Sequence, residues 1–313
     1  MWLIKKYLIN IICILLIFVC ISNLYGADID NSLEKRQISV AIWNGTGTYG
    51  FYTVDWCISR INEYNNAHSD TKITTTKISK ISSVSDLNGF NVLILPGGDH
   101  GSTFINNINN DAVRQFVSNG GGAIGICAGA YALAHHTDDA YDGINVAPHV
   151  NCLSQSYSGI VKVSMIRGDL LGMSSKEFSM ELENGPAMYM NSDGAITLST
   201  YVTGPNVGGI SQVLDSYGEG RVILFGPHPE NEDLPCPNML GGSIKYVASE
   251  YNDIEYNNIP VENNPISEEN LSMDNFTNLS NVNLNYFSLY ETGFPLFLVL
   301  ILSVFGILSW IRK

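Results

Sequence analysis

The chain is poor in positive charge. Sixteen lysines and arginines stand against 30 aspartates and glutamates in 313 residues, a formal net charge of −14, and the presumptive folded part gathers no basic cluster. This composition argues against nucleic acid as a partner, because phosphate binding draws on a concentrated positive surface. The acidity fits solubility outside the cell. Cysteine is scarce as well: beyond the N-terminal apolar stretch only Cys57, Cys127, Cys152 and Cys236 remain. If Cys127 is kept as a thiol, at most one disulfide forms among the other three, which leaves a packed core to hold the fold.

Lysine and arginine are missing altogether from residues 251–291, which are dominated by asparagine and acidic residues and show no sustained helical or strand period. This composition predicts a solvated stalk. Three glycosylation sequons fall inside it, at Asn270, Asn275 and Asn278, and a fourth lies at Asn44. The flanking segments read as addresses. Lys5 and Lys6 precede an apolar stretch from Tyr7 to Ile21 and then a small polar region, so residues 1–27 are expected to be a secretory signal peptide or an uncleaved N-terminal anchor. Phe294 to Ile311 is an apolar run of about 18 residues closed by Arg312 and Lys313, long enough for a transmembrane helix. The positive-inside rule then places the intervening domain outside a cell membrane that it spans once. The Thr292-Gly293-Phe294-Pro295 element before that run resembles a sorting tail, with a sortase-like processing enzyme as the implied partner.

What remains, residues 36–250, suits one α/β domain with a sizeable core. Strands are predicted at Ile38–Trp43, Ile73–Ile78, Asn91–Leu95 and Ala123–Ile126, with helices near Thr53–Tyr64, Asp111–Ser118 and Ala128–His136. Alternating strands and helices imply a parallel sheet flanked by helices. Ser156–Val163, Ala195–Val202, Gly209–Leu214 and Arg221–Phe225 read as further strands, and Asn238–Ser249 as a closing helix.

Two segments carry the chemistry. In Gly120-Gly121-Gly122-Ala123-Ile124-Gly125-Ile126-Cys127-Ala128-Gly129-Ala130 a cysteine sits where an apolar strand must turn into a helix, with small residues on both sides. That is the pattern of a nucleophile elbow, in which Gly125 and Gly129 let strand and helix approach. The N-terminal amides of the following helix would favour thiolate. About a hundred residues later, Phe225-Gly226-Pro227-His228-Pro229-Glu230 ends another apolar strand. The two prolines hold the chain extended, so His228 and Glu230 face the same way, about 6.5 to 7 Å apart along the strand. Cys127, His228 and Glu230 thus read as nucleophile, base and orienter; the bland alternative is a buried cysteine in a glycine-rich turn. His135 and His136, on the helix predicted behind Cys127, lie too far along it to take the thiol proton. With Asp138, Asp139 and His149 they match no tight ligand spacing, and no metal or cofactor is expected. His100 and Tyr131 are candidate substrate-binding residues.

These motifs resemble the class I glutamine amidotransferase-like superfamily. Leu95-Pro96-Gly97-Gly98, Gly125-Ile126-Cys127-Ala128-Gly129-Ala130-Tyr131, Asn184-Gly185-Pro186 and Gly226-Pro227-His228-Pro229-Glu230 are most similar to the N-terminal domain family of biotin-protein ligase. The resemblance implies a flavodoxin-like domain in which Cys127 attacks an amide carbonyl, His228 shuttles protons and Glu230 orients His228. It also implies an oxyanion site at the backbone amides of Ala128 and of the Gly97-Gly98 turn. Where glutamine-using members commonly carry a glutamine, this chain has Tyr131, so amide hydrolysis on a small amide or peptide fits better than transfer from glutamine. No biotin-ligase catalytic module is present, and no ligase activity is implied. The alternative from another class is a non-catalytic domain that binds a small molecule or peptide in the same pocket.

Overall fold

The computed structural model describes residues 35–249 apart from 51, 139–140, 175, 235 and 237. The signal or anchor expected over 1–27, the stalk over 251–291 and the apolar helix over 294–311 lie outside the described residues. Among the described residues no helix is long and apolar enough to cross a membrane.

The first half alternates strand and helix. Strand β1 (Arg36–Trp43) leads into helix α1 (Val54–Ala67), β2 (Thr71–Ile78), β3 (Val92–Leu95), α2 (Gly101–Asn107), α3 (Asn110–Ser118), β4 (Gly122–Ile126) and α4 (Ala128–Leu133). Helix α1 forms because Val54, Cys57, Ile61 and Tyr64 make one buried stripe at helical spacing. Strands β3 and β4 are buried at every position, as expected for central strands covered on both faces.

After α4 come β5 (Ala134–Thr137), β6 (Tyr141–Asp142), β7 (Ala147–Leu153), β8 (Ser158–Met165), β9 (Glu177–Glu183) and β10 (Ala187–Met190). Strands β11 (Ile196–Tyr201), β12 (Ile210–Tyr217) and β13 (Gly220–Phe225) precede helix α5 (Met239–Val247). One 13-stranded sheet runs in the order β2-β1-β3-β4-β13-β12-β10-β7-β5-β6, with β11, β8 and β9 branching from β12. Its first five strands pair in parallel in the doubly wound order 2-1-3-4-5. Beyond β13 the pairing is antiparallel except between β5 and β7.

The expected parallel sheet flanked by helices is present in those five strands, and the sheet as a whole is mixed. The antiparallel part begins at β12, which joins β13 through the tight turn at Gly218, with φ of 61°. The helix expected from Ala128 to His136 needs correction. It ends at Leu133, and His135 and His136 lie on β5, where the chain pairs with β7 and β6.

Two apolar clusters sit on the two faces of the sheet. Val54, Ile61, Leu240 and Ile244 from α1 and α5 pack with one; Phe104, Val113, Phe116 and Tyr131 from α2, α3 and α4 pack with the other. The closest approach is between α4 and the strands: a β-carbon on Gly129 would lie 1.8 Å from the carbonyl oxygen of Leu95, and one on Gly125 would lie 2.6 Å from that of Gly129. Gly129→Ala should therefore lower stability by at least about 1–3 kcal/mol, the usual cost of overpacking, read from the urea midpoint. An unchanged midpoint would show that α4 can move away from β3 freely.

Candidate active site

The parallel register of β4 and β13 brings the two motif segments together. Phe225 pairs with Ile126, and the amide of Cys127 donates to the carbonyl oxygen of Phe225 at 2.9 Å. Cys127 thus stands one residue past β4, beside the point where the chain leaves β13 for His228.

Cys127 has φ 51° and ψ −110°, a conformation that costs a residue with a β-carbon on the order of 1–3 kcal/mol. The turn holds because the helix begins at once, with the amides of Ala130 and Tyr131 donating to the Cys127 carbonyl oxygen at 3.0 and 3.2 Å. The expected elbow is present. Cys127 is mostly buried, at 7% exposure, and its thiol donates to the main-chain carbonyl oxygen of Glu183 at 3.3 Å.

His228 and Glu230 are in contact, as the sequence predicts, with Nδ1 and Oε1 2.8 Å apart. They reach each other through a turn at Pro229 and Glu230, not along a fully extended chain. The amide of His228 donates to the carbonyl oxygen of Glu181 at 2.8 Å, which ties this segment to β9. The Glu230 carboxylate is fully buried. Burial acts against a charged imidazole, but the carboxylate of Glu230, with Cys127 beside it, outweighs it and holds His228 well above the ordinary imidazole range.

The other thiols are built differently. Cys57, Cys152 and Cys236 are buried and free of disulfides. Burial pushes all three upward, Cys236 to about 11, where the neighbouring Arg60 charge pulls the other way.

The glycines predicted near the oxyanion occupy different places. A β-carbon on Gly97 would lie 2.7 Å from Cε1 of His228, so Gly97 backs the imidazole. Gly98 bridges to Thr48 and, with Ala128, walls a cavity of about 320 Å³ in front of Cys127. His100 and Tyr131 line the same cavity. His100 caps α2, its Nδ1 accepting from the amide of Ser102 at 3.3 Å and lying 2.8 Å from that hydroxyl. The Tyr131 hydroxyl donates to the carbonyl oxygen of Asn184 at 3.0 Å. The Asn184-Gly185-Pro186 motif packs on the histidine segment: a β-carbon on Gly185 would lie 1.9 Å from the Gly226 carbonyl oxygen. His135 and His136 pair with Asn145 and Asp142, and His149 with the buried Asp215 at 2.7 Å.

Several wall residues escaped the sequence reading, among them Tyr49, Tyr141, Gln155 and Glu183. A signal for Glu183 exists, because Phe178, Met180 and Leu182 alternate with polar residues just before it, a strand pattern.

Residues 38–143 match the family model described as biotin-protein ligase, N terminal. That match includes Cys127, Gly97, Gly98, His100 and Tyr131 and stops short of His228 and Glu230. Among solved structures, one titled as a glutamine amidotransferase is 17% identical, covers 67% of this chain and 99% of its own, and has a TM-score of 0.50. The domain has a class I glutamine amidotransferase-like fold. The PurLQS structure from Thermotoga maritima is 14% identical with a TM-score of 0.45, covering 67% of this chain and 97% of its own. A comparison with curated proteins found no match. At such identities the likeness to the solved structures concerns the fold alone.

The pairing of His228 with Glu230 has a pH consequence. In the full-length chain the imidazole should titrate well above about 6.5, its unperturbed value, and Glu230→Gln should bring it down, as followed by NMR of the ring. Because the folded-state value is raised, the stabilisation is fully present below about pH 6.5 and is lost as pH rises through the folded value. The thermal stability gap between wild type and Glu230→Gln should therefore narrow as pH rises. A His228 titration indifferent to Glu230→Gln would contradict this account.

Proposed function

We propose that this domain is a cysteine-dependent amide hydrolase in which Cys127, His228 and Glu230 act as one unit. The observation that carries the reading is the buried His228–Glu230 contact beside a cysteine on a strained strand-to-helix turn. A raised imidazole value supplies a protonated His228 at neutral pH, the form a leaving amine needs.

In this reading the Cys127 thiol gives its proton to His228, and the thiolate attacks the amide carbonyl carbon. The carbonyl oxygen takes the negative charge, facing the amides of Ala128 and Gly98; one such donor is typically worth about 10²- to 10³-fold in rate. His228 gives its proton to the leaving nitrogen, the C–N bond breaks, and a thioester remains on Cys127. His228, now neutral, takes a proton from water as the water attacks the thioester, releasing a carboxylic acid and restoring the thiolate beside the protonated imidazole. Glu230 holds the tautomer and supports the imidazolium.

The address segments belong to the same proposal. The run from Phe294 to Ile311 with Arg312 and Lys313 beyond it would tether the domain to a membrane, through the stalk, on the extracytoplasmic side.

Labelling by neutral iodoacetamide tests the nucleophile. At pH 7 Cys127 should alkylate ahead of Cys57, Cys152 and Cys236, located by peptide mass spectrometry of the full-length chain, and His228→Ala should slow it roughly tenfold or more. Slow labelling unaffected by His228→Ala would sink the hydrolase reading and leave a binding domain.

A further inference from the structure

The cavity in front of Cys127 is charged on one side only. Asp99 and Glu183 stand on its wall, both exposed to solvent, and no lysine or arginine lines it. We infer that the substrate is an amide bearing an ammonium or guanidinium group, with Asp99 and Glu183 as the residues that select it. This rests on the hydrolase reading and goes beyond it by naming the substrate class.

Three independent features converge on that charge. First, Asp99 and Glu183 line one space, the Glu183 carboxylate also accepting from the Ser158 hydroxyl and the Asn184 amide nitrogen. The Tyr49 hydroxyl is pushed upward from its ordinary value, chiefly by the neighbouring Asp99 and in smaller part by Glu183. A cation placed between them gains from both Asp99 and Glu183, whereas a carboxylate, such as that of a free α-amino acid, meets like charge and finds no cationic side chain on the wall.

Second, acceptors are left over. Oγ1 of Thr137, a residue only 2% exposed, and Oε1 of Gln155 are buried without a hydrogen-bond partner among the described residues, and both residues line the cavity. The Gln155 amide nitrogen is already used, donating to the carbonyl oxygen of Gly185 at 2.9 Å, which fixes its oxygen as the free end. The Thr137 hydroxyl can donate or accept and serves either charge, but the Gln155 oxygen only accepts, so an ammonium, which carries only donors, answers it while a carboxylate does not.

Third, the aromatic walls suit a cation. Tyr49, Tyr131 and Tyr141 line the cavity, and His100 lies against Tyr141 with ring centroids 5.6 Å apart. Tyrosine faces attract ammonium and guanidinium groups. The cavity, about 320 Å³, accepts a side chain and its amide more readily than a long folded segment.

Charged thiol reagents read this selectivity without knowledge of the substrate. The cationic 2-(trimethylammonium)ethyl and the anionic 2-sulfonatoethyl methanethiosulfonates each form a disulfide with the Cys127 sulfur and release methanesulfinate. Their rate ratio on the full-length chain is divided by the ratio for 2-mercaptoethanol, with Cys127→Ser as the blank.

The cationic reagent should be favoured about tenfold at low salt. Asp99→Asn and Glu183→Gln should each cut the ratio by up to about fivefold, as exposed charge pairs do. Salt near 1 M, where the Debye length is about 3 Å, should bring it close to one. A ratio near one in the wild type, or one unmoved by both substitutions, overturns the cationic substrate and leaves the nucleophile standing. If neutral iodoacetamide fails to label Cys127, the hydrolase reading falls and this inference with it.

Discussion

Strand β4 and helix α4 meet so closely that a single β-carbon on Gly129 would run into the backbone of β3, and the rest of the site depends on that contact. The chain has no length in which to turn gently between Ile126 and Ala128, so Cys127 takes the positive φ that lifts its side chain off the end of the sheet. Parallel pairing of β4 with β13 then decides the partner, because whatever follows Phe225 emerges beside the thiol. His228 and Glu230 follow Phe225. Asn184-Gly185-Pro186 and Gly226 close against one another from the far side, again because glycines allow carbonyl oxygens to approach.

The second constraint is electrostatic. A carboxylate with no exposure at all, like that of Glu230, is costly to bury unless it is paired, and removing one member of a buried pair typically costs about 3–5 kcal/mol. Its pairing with His228 stabilises the ion in the core and raises the imidazole value in one contact. The same charge works against ionisation of the buried Cys57 and Cys236 thiols nearby. One buried anion thereby favours a cationic histidine and adds to the burial that keeps the Cys57 and Cys236 thiols neutral.

Much of this is legible in the residues. The apolar runs of β1, β3, β4 and β13 mark strands covered on both faces, and the apolar stripe of α1 marks a helix with one buried face. The elbow glycines and the prolines around His228 announce sharp or rigid backbone, and both places are special in the structure. What cannot be read is set by long-range pairing. Nothing local says that β13 lies beside β4, or that β12 reverses the sheet. Helix α4 looks longer in sequence because Ala132, Leu133 and Ala134 are good helix formers, but β5 begins at Ala134 once β7 offers it a partner, tertiary pairing overriding propensity. The carbonyl oxygen of Glu183 over Cys127 belongs to β9, whose alternation of Phe178, Met180 and Leu182 is visible but whose position across the site is not.

The proposed hydrolase mechanism requires that Cys127 carry an acyl group that His228 helps to remove. Mixing the full-length chain with p-nitrophenyl acetate and following p-nitrophenol on the millisecond scale, with mass spectrometry of the quenched protein, tests it directly. The account predicts a burst of one equivalent with an acetyl thioester on Cys127, turned over in the wild type, stalled in His228→Ala and absent in Cys127→Ser. Acetylation elsewhere in the chain, or a burst that survives Cys127→Ser, would contradict it.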